Sequence, residues 1–277
     1  MFSEKTFDAG KVGLNYMDYG SPQGKPVVIL HGGAWCWQEF LSLIPELSEG
    51  RHIYALDLRG NGRSGWVSGQ YRLNDFTCDT ERFVKHLDRP CVLIGHSIGG
   101  VVALMTEERL PESVSALIIE DSPLTLDNYK TVIDSSRDMF RLWLELKKSA
   151  RSSGELKVML AESYRNLPGV TDDWVRFFAG CLWQLDPTFF DALLFDFDGF
   201  TAGYDYKRIL SKLRCSILFI RGEKDLGAVM TDDEVAWVTA NCPNATCRSI
   251  TGVGHLLHLQ DAGLQPVLKE MKTFLEG

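Results

Sequence analysis

The residues with the clearest chemical potential form a short turn, Gly95-His96-Ser97-Ile98-Gly99. The turn lies between an apolar run at 91–94 and a helix-like run at 101–109. A serine flanked by glycines between a strand and a helix is typical of a nucleophile elbow, where the backbone turns so tightly that the hydroxyl projects above the sheet. A hydroxyl held there can attack a carbonyl carbon, so the turn predicts acyl transfer with Ser97 as the nucleophile.

A serine nucleophile needs a general base, and histidine is the usual one because its pKa lies near neutrality. His255 follows Gly252-Val253-Gly254 in a loop after the last predicted strand. A loop at that edge of the sheet can bring an imidazole over Ser97. We therefore predict that His255 is the base, that His96 packs beside the site, and that His258 is an ordinary, partly exposed residue.

The base in turn needs a carboxylate that orients its ring. Asp225 is predicted for this role, because the apolar run 217–220 leads directly into it and the order serine, acid, histidine is that of elbow-bearing hydrolases. Asp121 and Glu120, which end the strand after the nucleophile's helix, stay open as alternatives. Glu223 is a weaker alternative.

An acyl transfer also needs hydrogen-bond donors aimed at the developing oxyanion. The backbone N–H of Ile98 qualifies, since it follows the nucleophile at the N-terminus of a helix. The second donor is expected from the stretch His31-Gly32-Gly33-Ala34 after the apolar run 27–30, with Gly33 preferred and Ala34 next. His31 is expected to brace this loop.

Apolar runs that alternate with helix-like stretches must position these residues. Such an alternation predicts a parallel sheet that is covered by helices on both faces. Two short strands are predicted within 2–19 and a helix over 37–47. The further predicted strands lie near 27–30, 52–56, 91–94, 114–119, 216–220 and 246–250.

The segment 125–205 differs from the rest of the chain. It is largely helix-like and holds 14 of the 30 aromatic residues. We predict an α/β core formed by 1–124 and 206–277, interrupted by a helical cap over 125–205. Aromatic side chains would line the substrate pocket, and the candidates are Trp183, Phe178 and Trp35, with Trp66 at the rim.

Composition excludes several classes of function. The 277 residues carry a net charge of −8, which disfavours nucleic acids and anionic membranes as partners. No apolar run approaches the roughly 20 residues that span a bilayer, and the N-terminus does not resemble a signal peptide. Seven cysteines, an odd number without a C-x-x-C pair, favour free thiols in the cytoplasm. No metal-ligand spacing is found, and a monomer or homodimer is expected.

Taken in order, these motifs resemble the α/β-hydrolase superfamily. The resemblance implies a mostly parallel eight-stranded sheet with a helical cap over its carboxyl edge, and no metal or organic cofactor. Ser97 stands where epoxide hydrolases and haloalkane dehalogenases carry an aspartate, and Ala34 breaks the His-Gly-Gly-Gly sequence of hormone-sensitive-type esterases. The matching stretches are His31-Gly32-Gly33, 57–64, 95–100, Gly222-Glu223-Lys224-Asp225 and Gly252-Val253-Gly254-His255.

The resemblance places the chain near capped esterases and lactonases. We expect a serine hydrolase that cleaves a carboxylic ester or lactone of a medium-sized hydrophobic substrate through an acyl-enzyme on Ser97. Two alternatives stay open. The same triad could hydrolyse a C–C bond or act as a perhydrolase, or the chain could be a receptor-like member that binds a small ligand and turns it over slowly.

Overall fold

A single eight-stranded sheet forms the centre of the molecule. The structure, a computed structural model, describes residues 3–165 and 170–277. The strands are β1 (Ser3–Asp8), β2 (Gly13–Gly20), β3 (Lys25–Leu30), β4 (Arg51–Leu56), β5 (Cys91–His96), β6 (Val114–Glu120), β7 (Ser216–Arg221) and β8 (Ala245–Ser249).

The strand order is β1-β2-β4-β3-β5-β6-β7-β8. β2 pairs antiparallel with both β1 and β4, and all later neighbours are parallel. The predicted α/β-hydrolase fold with a mostly parallel eight-stranded sheet is confirmed. Parallel strands leave the carboxyl ends of β3, β5 and β6 side by side, and the candidate site residues follow these ends.

Twelve α-helices lie within the described ranges. They are α1 (Ile44–Leu47), α2 (Leu73–His86), α3 (Ile98–Arg109), α4 (Leu126–Ser135), α5 (Arg137–Ser149), α6 (Ser153–Tyr164), α7 (Asp172–Gln184), α8 (Thr188–Phe195), α9 (Phe197–Phe200), α10 (Tyr206–Lys212), α11 (Asp232–Asn241) and α12 (Asp261–Glu276). Short 3-10 helices cover Trp37–Phe40, Lys224–Leu226 and Leu257–Leu259.

The core lies on both faces of the sheet. Alternate residues of a strand point to opposite faces, and in β3 Val28 and Leu30 join one buried cluster while Val27 and Ile29 join another. The first cluster contains side chains of α2 and α3, and the second contains side chains of α1 and α12. The apolar runs read from the sequence are therefore strands that are buried on both sides.

The helix predicted over 37–47 is wrong as a continuous element. The chain forms a 3-10 turn at Trp37–Phe40 and then the one-turn helix α1. Pro45 stands in the first turn of α1, where its missing N–H costs nothing, whereas inside a helix it would remove a hydrogen bond. Asp57 also holds the start of the segment, because its Oδ1 accepts the Trp37 N–H at 2.7 Å.

Helices α4 to α10 separate β6 from β7. The chain enters and leaves this segment at one place, since the Tyr204 hydroxyl donates to the Leu124 carbonyl at 2.8 Å. The division into core and cap at 125 and 205 stays a prediction, and residues 166–169 of that range lie outside the described residues. Within the described ranges, no helix has both the length and the apolar character that crossing a bilayer requires.

Candidate active site

Ser97 sits in a strained turn between β5 and α3. Its backbone has φ 54° and ψ −119°, outside the regions that a side chain normally allows. Positions 95 and 100 around it require glycine: a Cβ on Gly95 would lie 2.3 Å from the Gly99 carbonyl oxygen, and one on Gly100 would lie 2.1 Å from the Ser122 hydroxyl. The backbone therefore has the geometry that the sequence predicts for an elbow.

Positive φ angles gather at this edge of the sheet. Among the residues that the structure describes, those other than glycine with positive φ are Ala34 at 66°, Ser97 at 54°, Asp121 at 40° and, on a distant loop, Asp88 at 53°. The first three follow β3, β5 and β6. Such strain costs on the order of 1–3 kcal/mol per residue and persists where surrounding structure enforces it, which is common at functional sites.

His255 is oriented by a buried carboxylate. Its Nδ1 lies 2.7 Å from Oδ2 of Asp121, whose side chain is fully buried. The Asp121 carboxylate also accepts backbone N–H groups from Val229 at 2.8 Å and Met230 at 3.2 Å. With Nδ1 bonded to a carboxylate, Nε2 is the ring nitrogen left to exchange a proton with a hydroxyl.

The expectation that Asp225 orients the imidazole does not hold. Asp225 is exposed in the 3-10 helix Lys224–Leu226. After β7 the chain folds back so that backbone N–H groups of 229 and 230, and not the Asp225 side chain, approach the site. Asp121, which follows β6, is the alternative that the sequence offers for this role. Glu120 contacts His258, and Glu223 donates its backbone N–H to the Val253 carbonyl at 2.7 Å.

A buried ion pair joins the two loops that flank Ser97. Nδ1 of His96 lies 2.5 Å from Oε1 of Glu39, and both side chains are buried. The other Glu39 oxygen accepts the Gly32 N–H at 2.9 Å, and Nε2 of His96 contacts the His255 carbonyl at 3.0 Å. One pair therefore fixes both the glycine loop after β3 and the loop that carries His255.

Charge stabilises this pair against burial. Burial opposes the charged form of His96, but the Glu39 carboxylate outweighs it and raises the His96 pKa to about 9. Burial likewise opposes the charged form of Glu39, and His96 outweighs it and lowers the Glu39 pKa to about 2. Both groups are charged near neutral pH. Glu39 is not among the residues predicted from the sequence, and its signal there is a lone carboxylate within the apolar stretch 35–44.

His31 braces the glycine loop, as the sequence suggests. Its Nδ1 donates to the Gly32 carbonyl at 2.6 Å, and its Nε2 accepts the Leu58 N–H at 2.9 Å. Burial lowers the His31 pKa, which favours the neutral ring that this bonding pattern requires. A neutral, doubly bonded imidazole fixes the backbone on which Gly33 stands.

The prediction that His258 is partly exposed is wrong. The side chain is buried, with Nδ1 2.8 Å from Glu120 Oε1 and Nε2 3.1 Å from the Glu39 carbonyl oxygen. His258 thereby links the end of β6 to the segment that carries Glu39. It lies behind the candidate base and belongs to its support.

Two backbone N–H groups are available for an oxyanion. Those of Gly33 and Ile98 donate to no acceptor among the described residues, and Ile98 opens α3, where the first N–H groups lack helical partners. A Cβ on Gly33 would lie 2.7 Å from Cδ1 of Ile98, so a side chain there would press on the second donor's residue. The positions agree with the predicted oxyanion site, whose function stays a proposal.

A cavity of about 400 Å³ opens over these groups. Ser97, His255, Gly33 and Ile98 all line it. None of its described lining residues is Lys, Arg, Asp or Glu, and the charged His96 on its wall is already paired with Glu39. Helices between β6 and β7 supply an aromatic and aliphatic wall that includes Tyr129, Ile133, Phe140, Trp143, Trp174 and Phe189.

The predicted pocket residues are partly wrong. Trp35 lines the cavity, but Phe178 and Trp183 do not. Phe178 is fully buried behind the wall, with ring centroids 5.0 Å from Trp35 and 4.5 Å from Trp143. Lys147 covers the Trp183 ring at 4.5 Å. Trp66, expected at the rim, is 52% exposed, donates to the Gln184 carbonyl and does not line the cavity.

Comparison with known proteins agrees with this geometry. The profile of the Alpha/beta hydrolase family matches residues 27–265. The chain belongs to this family. Among relatives in the Alpha/beta hydrolase family, it is 32% identical over 170 residues to a human protein named serine hydrolase-like protein, covering 58% of this chain and 84% of that one. It is 26% identical to a Haemophilus influenzae protein named as a candidate esterase/lipase, covering 95% and 88%.

Solved structures of this family share the fold. E-2-(acetamidomethylene)succinate hydrolase superposes with a TM-score of 0.78 at 19% identity and covers 100% of both chains. Est816, described as an N-acyl homoserine lactone degrading enzyme, superposes with a TM-score of 0.75 at 22% identity and covers 98% of this chain and 100% of its own. At these identities the likeness concerns the fold. Membership of the Alpha/beta hydrolase family and the similarity to serine hydrolase-like proteins support a hydrolase.

Proposed function

We propose that this family member is a serine hydrolase that cleaves carboxylic esters or lactones of neutral, medium-sized hydrophobic substrates. One observation carries the proposal: Ser97 in its strained elbow and the Asp121-bound imidazole of His255 line the same apolar cavity. A nucleophile, a base and an orienting carboxylate together form the constellation that acyl transfer needs.

In the acylation half, Nε2 of His255 takes the hydroxyl proton as Ser97 Oγ attacks the substrate carbonyl carbon. The tetrahedral oxyanion accepts the N–H groups of Gly33 and Ile98. His255, now protonated and stabilised by Asp121, gives the proton to the leaving alkoxide. The C–O bond breaks, the alcohol departs, and the acyl group stays on Ser97.

In the deacylation half, His255 takes a proton from water as the water oxygen attacks the acyl-enzyme. The same two N–H groups hold the second oxyanion. His255 then returns the proton to Ser97 Oγ, and the carboxylic acid leaves. Backbone donors suit this role because they are fixed before the reaction and need no reorganisation.

The cavity favours neutral, apolar substrates. A charged group on the substrate would lose its water without a partner, because the described lining has no Lys, Arg, Asp or Glu side chain. A volume of about 400 Å³ lies within the usual range for small-molecule sites. The lactone-degrading activity in the description of Est816 supports lactones as substrates beside open-chain esters.

The test compares wild type with Ser97→Ala on p-nitrophenyl butyrate. We expect the variant to lose about 10³-fold or more in kcat/KM, with unchanged circular dichroism. Ser122→Ala is the matched control, because Ser122 is a buried serine beside the elbow that does not line the cavity. An alkyl fluorophosphonate should label wild type once, on Ser97 Oγ with loss of fluoride. Equal activity of wild type and Ser97→Ala, or inert wild type on esters and lactones alike, contradicts the proposal.

A further inference from the structure

The hydroxyl of Tyr129 is an unexplained feature of the cavity wall. Tyr129 lies on α4, is 2% exposed and lines the cavity. Its hydroxyl oxygen is buried and has no hydrogen-bond partner among the described residues. A buried polar group without a partner costs about 1–3 kcal/mol, and no group in ranges 3–165 and 170–277 offsets this cost.

Other buried tyrosines in the described chain are partnered. The hydroxyl of Tyr71 donates to Asp186 at 2.6 Å, and that of Tyr204 donates to the Leu124 carbonyl at 2.8 Å. The hydroxyl of Tyr164, which also lines the cavity, accepts the indole N–H of Trp143. Tyr129 departs from this pattern, and its place on the cavity wall allows a ligand to supply the missing partner.

Its position on α4 directs the ring to the cavity. Tyr129, Val132 and Ile133 recur at helical spacing and all line the cavity. The ring is held from behind by Phe197 and Phe200, whose centroids lie 5.8 and 6.0 Å away with edge-on geometry. Burial raises the Tyr129 pKa, so the group stays a protonated donor through the physiological range.

We infer that Tyr129 is a specificity-determining residue whose hydroxyl donates to a second, uncharged oxygen of the substrate. That oxygen is an ether, ketone or hydroxyl apart from the scissile carbonyl, whose own oxygen faces the Gly33 and Ile98 N–H groups in the proposed mechanism. A neutral acceptor fits the site because the described lining has no Lys, Arg, Asp or Glu side chain for an ionised group, and the charged His96 is already paired with Glu39. The substrate class is an oxygen-bearing hydrophobic ester or lactone.

This inference rests on the proposed function. Three pairs of esters test it, and in each pair an ether oxygen replaces a methylene group at constant chain length. On the acyl side, p-nitrophenyl hexanoate is compared with p-nitrophenyl 3-ethoxypropanoate and with p-nitrophenyl 4-methoxybutanoate. On the alcohol side, butyl hexanoate is compared with 2-methoxyethyl hexanoate. Each comparison gives a ratio of kcat/KM values, and dividing the wild-type ratio by that of Tyr129→Phe cancels the intrinsic reactivity of the esters.

We expect at least one wild-type ratio to exceed that of Tyr129→Phe by about fivefold or more in favour of the oxygen-bearing ester. Tyr204→Phe is the control, and its ratios should match wild type because that hydroxyl donates to the Leu124 carbonyl and does not line the cavity. Tyr129→Phe should also unfold at the same temperature as wild type or a higher one. Its fold is then intact, and any change in the ratios belongs to the site.

Three results would overturn the inference. Ratios that are equal in wild type and Tyr129→Phe on all pairs show no oxygen recognition. A uniform fall of kcat on every ester would make Tyr129 an oxyanion donor. A clear loss of stability in Tyr129→Phe would give the hydroxyl a structural partner. The Ser97→Ala comparison is independent of all three, so failure of the inference and failure of the proposed function are distinguishable.

Discussion

Replacing Asp121 and Asp225 by asparagine, one at a time, shows which carboxylate orients His255. Asp121→Asn removes the charge 2.7 Å from the imidazole, on a carboxylate whose side chain is fully buried. The imidazolium formed during attack then lacks its counter-charge, and the ring loses the acceptor that fixes its tautomer. Asp225→Asn makes the same chemical change on an exposed side chain.

For Asp121→Asn we expect kcat/KM to fall by about 10³- to 10⁴-fold, the loss seen when a triad acid becomes an amide. This range equals about 4–5.5 kcal/mol of transition-state stabilisation. For Asp225→Asn the value should stay within about twofold of wild type, because surface changes away from partners have small effects.

The assay is hydrolysis of p-nitrophenyl butyrate, measured well below the unfolding temperature of each variant. That precaution matters because Asp121 also accepts N–H groups from Val229 and Met230. Losing one of these acceptors costs about 1–3 kcal/mol of stability, and a urea titration measures it separately. The reasoning is refuted if folded Asp121→Asn keeps activity within tenfold of wild type, or if Asp225→Asn shows the large loss.

Three further outcomes are expected. Glu39→Gln leaves His96 charged without a partner, so urea titration should show a loss of about 3–5 kcal/mol, and kcat should fall because both flanking loops loosen. In wild type, the Glu39 carboxylate raises the pKa of His96. The charged His96 therefore contributes its full stabilisation below about pH 6.5, and this stabilisation is lost as the pH rises through about 9. Urea midpoints measured from pH 6 to 10 test this. Gly95→Ala would place a Cβ 2.3 Å from the Gly99 carbonyl oxygen and should greatly lower the yield of soluble, folded protein. Gly180→Ala is the control, because this helical position has open space around it, and it should raise the free energy of unfolding by up to about 1 kcal/mol.

Each of these outcomes has a clear contrary result. Glu39→Gln with wild-type stability and kcat would show that the pair is dispensable. Urea midpoints that stay flat between pH 6.5 and 9, or that match those of His96→Gln, would remove the role assigned to the His96 charge. A folded, active Gly95→Ala enzyme would mean that the elbow backbone can relax.

The elbow and the base could be read from the sequence because their signals are local. Gly95 and Gly99 flank Ser97 within one turn, and His255 follows its glycines directly. The acid could not be read in this way. Asp121 and Asp225 both follow strands of the same sheet. The path of residues 226–230 decides which of them orients His255, because it brings the backbone N–H groups of 229 and 230, and not the Asp225 side chain, to the site.

The partners of buried polar side chains could not be predicted from local sequence pattern either. Glu39 and His96 are separated by 57 positions in the sequence numbering, and only the adjacency of β3 and β5 brings their loops together. Aromatic content located the wall of the cavity but not its facing residues. Trp174 lines the cavity, whereas Phe178, one turn later on the same helix and stacked 5.1 Å away, lies behind the wall.

The bond between Leu124 and Tyr204 has a practical consequence for design. The inserted helices begin and end at a single hydrogen-bonded junction, while β6 and β7 pair with each other beneath it. The cost of closing a loop grows only slowly with its length, so the length of the segment inserted at this junction has little effect on the entropy cost of pairing β6 with β7. A segment from another scaffold, grafted between Leu124 and Tyr204, would place the same candidate catalytic residues under a different substrate cavity.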